Sequence, residues 1–158
     1  MYKKTHILMV CLGNICRSPL ADGILKSKLD PQLFDIESAG TGNWHVGEKP
    51  DHRSIETAKR HQIDISRQKA RHFNVKDFDT FDLIFAMDDQ NYKDLQTLAT
   101  NENAKNKIHK IVAFDTNHHK EIPDPYYGTL ADFEHVFQLL DGICENIAQQ
   151  FRNKTFPY

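Results

Sequence analysis

Near its start the chain passes from the apolar run Ile7-Leu8-Met9-Val10 straight into Cys11-Leu12-Gly13-Asn14-Ile15-Cys16-Arg17-Ser18 and then Pro19, and no other stretch limits the possible folds as tightly. Four consecutive apolar residues suit a strand buried on both faces. Pro19 suits the first position of a helix, where its missing N–H would lack a partner in any case, and Ser18 before it is the expected N-cap. The pairs Leu20/Ile24 and Leu25/Leu29 carry that helix onward at i,i+4 spacing. A strand is thus followed directly by a helix.

The rest of the chain continues the alternation. Phe34-Asp35-Ile36-Glu37-Ser38 alternates and stops at Ala39-Gly40-Thr41-Gly42, which predicts a second strand running into a glycine-bearing loop. Pro50-Asp51 opens a helix to about His61. Phe81 to Met87 and Ile108 to Phe114 read as buried strands, with a polar helical stretch from about Asp89 to Leu98 between them and the charged run from Asn101 to Lys110 as a solvated face. Thr129, with Asp132 three residues on, reads as a capping box. Phe133, Val136, Phe137, Leu140, Ile143, Cys144, Ile147 and Phe151 then lay one broad apolar face along a last helix. The chain has 158 residues, 39% hydrophobic and 27% charged, without repeat or linker. One α/β domain over residues 1–158 is expected: an open parallel sheet covered by helices on both faces, with its active loops at the carboxyl ends of the strands.

Charge and cysteine usage exclude several classes of function. A net charge of -2 and a pI near 6.5 give no sequence-wide field for phosphate backbones or anionic lipid, so neither nucleic acid nor membrane is an expected partner. Lys3-Lys4 and the apolar run after them fail as a secretory leader, because Asn14 and Arg17 stand where a cleavage site needs small residues. Cys11, Cys16 and Cys144 are odd in number and lack zinc-site spacing, and no carboxylate or cysteine is spaced to join His72 or His118-His119 in a metal site. No metal and no cofactor are expected, and a reducing cytoplasm fits best.

The loop after the first strand carries the chemistry. Backbone amides curling inward and running into a helix N-terminus make a concave site for one anion; Gly13 permits the unusual backbone, and Arg17 adds a planar fork that binds two phosphoryl oxygens together. Gly13 lacks the second glycine and the lysine of a nucleotide-binding loop, which argues against ATP or GTP. Cys11 has two readings: a small buried hydrophobe closing the strand, or a nucleophile whose thiolate form the same positive field favours. Arg17 beside it favours the second. Asp124 reads either as a turn residue in Pro123-Asp124-Pro125 or as a carboxylic acid that hands a proton to a leaving group. Asp88 can orient loop groups or cap the helix that follows.

Val10 to Pro19, together with the distant Asp124-Pro125-Tyr126-Tyr127-Gly128, resembles the low-molecular-weight protein tyrosine phosphatases, and the similarity runs over nearly the whole chain. The resemblance implies a four-stranded parallel sheet flanked by helices, with a phosphate-binding loop of Leu12, Gly13, Asn14, Ile15, Cys16, Arg17 and Ser18 between strand one and helix one. It implies Cys11 as nucleophile, Arg17 as phosphate binder and Asp124 as general acid. It further implies that hydrogen bonds of Asn14, Ser18 and Ser38 shape the loop, and that Trp44, Tyr126 and Tyr127, with Leu12 and Ile15, wall the substrate's ring. Relatives acting on phosphoarginine carry threonine at the position of Ile15, and many relatives carry histidine at that of Gln68. Relatives with the Cys11/Cys16 pair use it as a redox switch; the alternative is that Cys16 fills space beneath the loop.

The expected protein is therefore a monomeric, cytoplasmic, metal-independent phosphatase acting through a cysteinyl-phosphate. Its expected partners are tyrosine-phosphorylated proteins and small aryl phosphates, with inorganic phosphate or vanadate as inhibitors. Three alternatives stand beside it: a phosphoarginine phosphatase, a non-catalytic anion-binding module, and an arsenate reductase of the same fold. The reductase needs a relay of further cysteines, and between Arg17 and Asp124 there are none.

Overall fold

In the computed structural model, which describes residues 3–158, each of Ile7, Leu8, Met9 and Val10 is fully buried. Their strand, β1 (Thr5–Cys11), lies inside a parallel four-stranded sheet of order β2-β1-β3-β4, beside β2 (Phe34–Gly40) and β3 (Leu83–Ala86), with β4 (Ile108–Lys110) at the far edge. Met1 and Tyr2 of the expected 1–158 domain lie outside the described residues. Side chains alternate between the two faces of a strand, and both faces here are covered. Ile7 and Met9, with Leu83 and Phe85, pack among residues of α1 (Arg17–Lys28), α2 (His52–Arg60) and α6 (Leu130–Arg152). Leu8 and Val10, with Ile84 and Ala86, pack against Phe78 of α3 (Asp77–Thr80), Leu95 of α4 (Asp89–Leu98) and Ala104 of α5 (Glu102–Asn106). Each of the four side chains from Ile7 to Val10 contributes about 1.5–3 kcal/mol by leaving water, which is why the run carries no polar residue.

The strand order also places the active loops. From β1 the chain moves to β2 on one side, then returns past β1 to β3 and β4 on the other, so the direction of winding reverses between β1 and β3. At such a reversal the loops leaving the two strands diverge and open a crevice at the strands' carboxyl ends. The loop starting at Cys11 follows one of these strands, and Met87-Asp88 follows the other.

The structure departs from the sequence reading in three places. Helix α1 begins at Arg17 with Cys16 at its N-cap and no side-chain cap, so Ser18 is inside the first turn. The expected strand Ile108 to Phe114 ends at Lys110, and Ile111–Phe114 winds into a single 3₁₀ turn. Ile111 and Phe114 are apolar because they enter the core on the α6 side, not because they extend the sheet. The run from Asn101 to Lys110 is more than a solvated face: Asn101 Oδ1 accepts from Ala104 N at 2.8 Å to start α5, and Ala104 and Ile108 are buried. The capping box holds, with Asp132 Oδ2 accepting from Thr129 N at 2.7 Å at the head of α6.

Two glycine-to-alanine changes test the packing, with opposite signs. A Cβ on Gly40 would sit 2.8 Å from the Leu12 carbonyl oxygen, so Gly40→Ala should cost about 1–3 kcal/mol. Gly142 lies exposed within α6 with nothing within 4 Å of a Cβ, so Gly142→Ala should add about 0.5–1 kcal/mol. Urea unfolding of both variants checks the pair, and a shift of the same sign in both would refute this account of the loop's seat.

Candidate active site

The loop from Cys11 to Ser18 turns on Asn14, whose backbone is left-handed at φ 57° and whose residue is 1% exposed. Asparagine tolerates this region better than most residues, and here its side chain is saturated. Asn14 Oδ1 accepts from Arg71 N at 3.0 Å, while Nδ2 donates to Ser18 Oγ and to Ser38 Oγ, both at 2.8 Å. Because the Arg71 backbone can only donate, the amide's orientation is fixed, and both serine oxygens must accept. Their own protons are then free to point elsewhere. Ser38 donates to Gln68 Oε1 at 3.3 Å, and Gln68 Nε2 donates to the Pro19 carbonyl at 3.1 Å. Ser18 Oγ lies 3.0 Å from Cys11 Sγ with its own proton unspent, close enough to donate to the sulfur when it is a thiolate. Ser18 leaves its expected N-cap role for this contact. Gln68 takes a full place in the chain of hydrogen bonds by accepting and donating at once.

Arg17 is buried, its Nη1 donating to Asp88 Oδ2 at 2.7 Å and to the Ile122 carbonyl at 3.0 Å. Burial works against the guanidinium charge, but the neighbouring Cys11 and Asp88 outweigh it and raise Arg17 above its ordinary pKa. Among the described residues, Nε and Nη2 make no hydrogen bond to the protein, and Nη2 lies 3.7 Å from Asp124 Oδ2. Asp88 fulfils both of its readings: Oδ2 holds Arg17, and Oδ1 accepts from Asn91 N at 2.7 Å to cap α4.

Cys11, Leu12, Gly13, Ile15, Cys16, Arg17, Trp44, Asp124, Tyr126 and Tyr127 line one cleft of about 240 Å³. Asn14, Ser18 and Ser38 stand behind it as braces. Trp44 is 68% exposed and Tyr127 97%, so the aromatic residues form a rim rather than a closed slot. Cys16 packs with Ile15, Ala70 and Phe133, and burial, then the charges of Asp51, Cys11 and Asp124, push its thiol well above the ordinary range. Cys144 is buried against the Ala21 carbonyl in the core.

The sequence reading missed two neighbours of the site. His45 also lines the cleft, its Nδ1 2.6 Å from Glu48 Oε2, and nothing in its local pattern set it apart from a loop histidine. Arg53 on α2 reaches the loop that bears Asp124, a contact between residues more than seventy positions apart.

A family profile described as low molecular weight phosphotyrosine protein phosphatase matches residues 6–156. The low molecular weight phosphotyrosine protein phosphatase of Sus scrofa is 36% identical over 151 residues, covering 92% of this chain and 95% of that protein. A protein tyrosine phosphatase from Entamoeba histolytica, crystallised with Hepes in its active site, superposes with a TM-score of 0.91 at 35% identity, over 97% of this chain and 100% of that one. The tyrosine phosphatase Wzb from Escherichia coli K30, in complex with sulphate, superposes with a TM-score of 0.85 at 28% identity, over 94% of this chain and 99% of that one.

The direction of the Ser18 proton is open to test. A hydrogen bond to a charged group contributes about 1.5–3 kcal/mol, so Ser18→Ala should slow alkylation of Cys11 by iodoacetate at mildly acidic pH by about 10- to 100-fold. An alkylation rate equal to wild type would mean that the hydroxyl does not stabilise the sulfur's charge.

Proposed function

The chain belongs to the low molecular weight phosphotyrosine protein phosphatase family and is a cysteine-dependent phosphatase, and we propose that Cys11, Arg17 and Asp124 carry its chemistry on phosphotyrosine. One observation carries this assignment: a nucleophilic sulfur, a buried guanidinium with a free edge and a carboxylate meet at a single cleft. Cys11 Sγ attacks phosphorus as the thiolate, while Nε and Nη2 of Arg17, with the amides of Leu12 to Ser18, take the equatorial oxygens. As the bond from phosphorus to the phenolic oxygen breaks, Asp124 gives that oxygen its proton. Asp124, now a carboxylate, then takes a proton from water as the water attacks the cysteinyl-phosphate, releasing inorganic phosphate and the free thiolate.

The rim of Leu12, Trp44, Tyr126 and Tyr127 suits a flat aromatic ring, and Ile15 keeps the inner wall apolar. Tyrosine-phosphorylated proteins and small aryl phosphates are the proposed substrates, with phosphate and vanadate as competitors. We assign residues 1–158 to one monomeric domain acting in the cytoplasm, where three free cysteines fit a reducing compartment. Among the described residues, no helix is long and apolar enough to cross a membrane.

Cys16 has a proposed protective role. Peroxide oxidises the Cys11 thiolate to the sulfenic acid with loss of water, and the Cys16 sulfur displaces a second water to close a Cys11–Cys16 disulfide that thiols reopen. Its buried thiol is held protonated, so oxidation begins at Cys11.

Cys11→Ser should abolish turnover of aryl phosphates, by at least about 1,000-fold, while phosphate or vanadate still binds; undiminished turnover would end the covalent mechanism. After peroxide and then dithiothreitol, wild type should recover most of its activity and Cys16→Ser should not. Equal recovery, or peptide mapping without a Cys11–Cys16 linkage, would leave Cys16 as a packing residue.

A further inference from the structure

We propose that Arg53 is a positioning residue that holds Asp124 over Cys11 by bracketing the loop bearing the acid. This inference rests on the reading of Asp124 as general acid. That loop is tied at its start, where Ile122 N donates to the Met87 carbonyl, and at its end by the capping box of Thr129. Between Pro123 and Gly128, the hydrogen bonds reaching it from elsewhere in the described residues come from one side chain. Arg53 Nη2 donates to the Tyr126 carbonyl at 2.9 Å and Nη1 to the Gly128 carbonyl at 3.0 Å. The Asp124 carboxylate sits in the same span, where it accepts from Tyr126 N at 3.1 Å. A shift of the Tyr126 backbone therefore moves the acid with it.

Arg53 is itself held by the other loop's support. Its Nε and Nη2 donate to Asp51 Oδ1 and Oδ2 at 3.0 and 2.9 Å, a two-pronged grip, and its guanidinium lies 4.5 Å over the Phe133 ring. Those hydrogen bonds hold Asp51 below the usual carboxylate range, so the grip stays charged. Asp51 N in turn donates to the Ile15 carbonyl at 2.8 Å, and the neighbouring Ser54 Oγ donates to the Cys16 carbonyl at 3.2 Å. The first turn of α2 thus carries the nucleophile's loop on its backbone and Ser54, and the acid's loop on Arg53. The spacing between sulfur and carboxylate is set through one rigid helix end. Lysine cannot replace this bracket, because a single ammonium does not span two carbonyls and a bidentate carboxylate.

The test is the dependence of kcat/KM on the leaving group, which reports the steps through phosphoryl transfer to Cys11. It compares phenyl phosphate with 2,4-dinitrophenyl phosphate for wild type, Asp124→Asn, Arg53→Met, Arg53→Lys and the double variant Arg53→Met/Asp124→Asn. Misplacing a catalytic group by about 1 Å costs about 100-fold, so Arg53→Met should lose about 10- to 100-fold on phenyl phosphate and under about threefold on the dinitrophenyl ester. Arg53→Lys should show the same asymmetry and carries the test alone if Arg53→Met does not fold. In the double variant the Arg53 change should cost nothing further on phenyl phosphate, because the acid through which it acts is gone. Equal losses on both esters in the Arg53 variants, or additive losses in the double variant, would overturn the inference by making Arg53 a merely structural residue. If Asp124→Asn itself fails to discriminate between the esters, the acid assignment falls first and this inference falls with it.

Discussion

The site depends on how one amide is satisfied. Asn14 sits in a left-handed turn that would otherwise be unstable, and it stays there because its oxygen and both its hydrogens have partners in a buried place. An unmade bond at such a depth costs about 1–3 kcal/mol, so the three bonds form or fail together. The backbone at both ends sets the polarity of the whole chain of bonds: the Arg71 N–H forces one end and the Pro19 carbonyl forces the other. Ser18, accepting from Asn14, keeps its own proton to give to Cys11 Sγ 3.0 Å away. The sulfur's environment is thereby decided by groups three bonds away.

The same economy appears in the fold. β1 is buried from both sides, and its last residue is Cys11, so that sulfur is attached to an inner strand paired on both edges and covered on both faces. Arg17 opens the helix that packs over one face, and its Asp88 partner follows the adjacent strand. Three elements that must exist to bury the core therefore also fix Cys11, Arg17 and Asp88. The loop bearing Asp124 is different: it comes after a 3₁₀ turn rather than a strand end, and between Pro123 and Gly128 the hydrogen bonds that reach it from elsewhere in the described residues come from Arg53.

This difference accounts for what could be read from the sequence. The strand, the phosphate loop and the capped last helix are written in local patterns: an apolar run, a Gly-to-Ser-Pro junction, and a threonine three residues before an aspartate. Where two jobs compete for one residue, local pattern names the commoner one, as with Ser18, read as a cap but engaged by a sulfur seven residues back. Apolar runs do not say which way they are buried, so Ile111 and Phe114 looked like strand. Contacts between distant segments, such as Arg53 with Tyr126 or Gln68 with Pro19, leave no periodic trace at all. Phosphotyrosine as substrate came from the resemblance; composition and spacing reached only as far as a cysteine beside an anion cradle.

The support beneath the loop is built from Gln68, Ser38, Asn14 and Ser18, together with backbone N–H and C=O groups. Amides and aliphatic hydroxyls neither gain nor lose protons in the range where proteins stay folded, unlike an imidazole in the same place. These four side chains therefore carry no charge that changes with pH. What they offer the sulfur, the Ser18 hydroxyl included, is the same at every pH at which the fold persists.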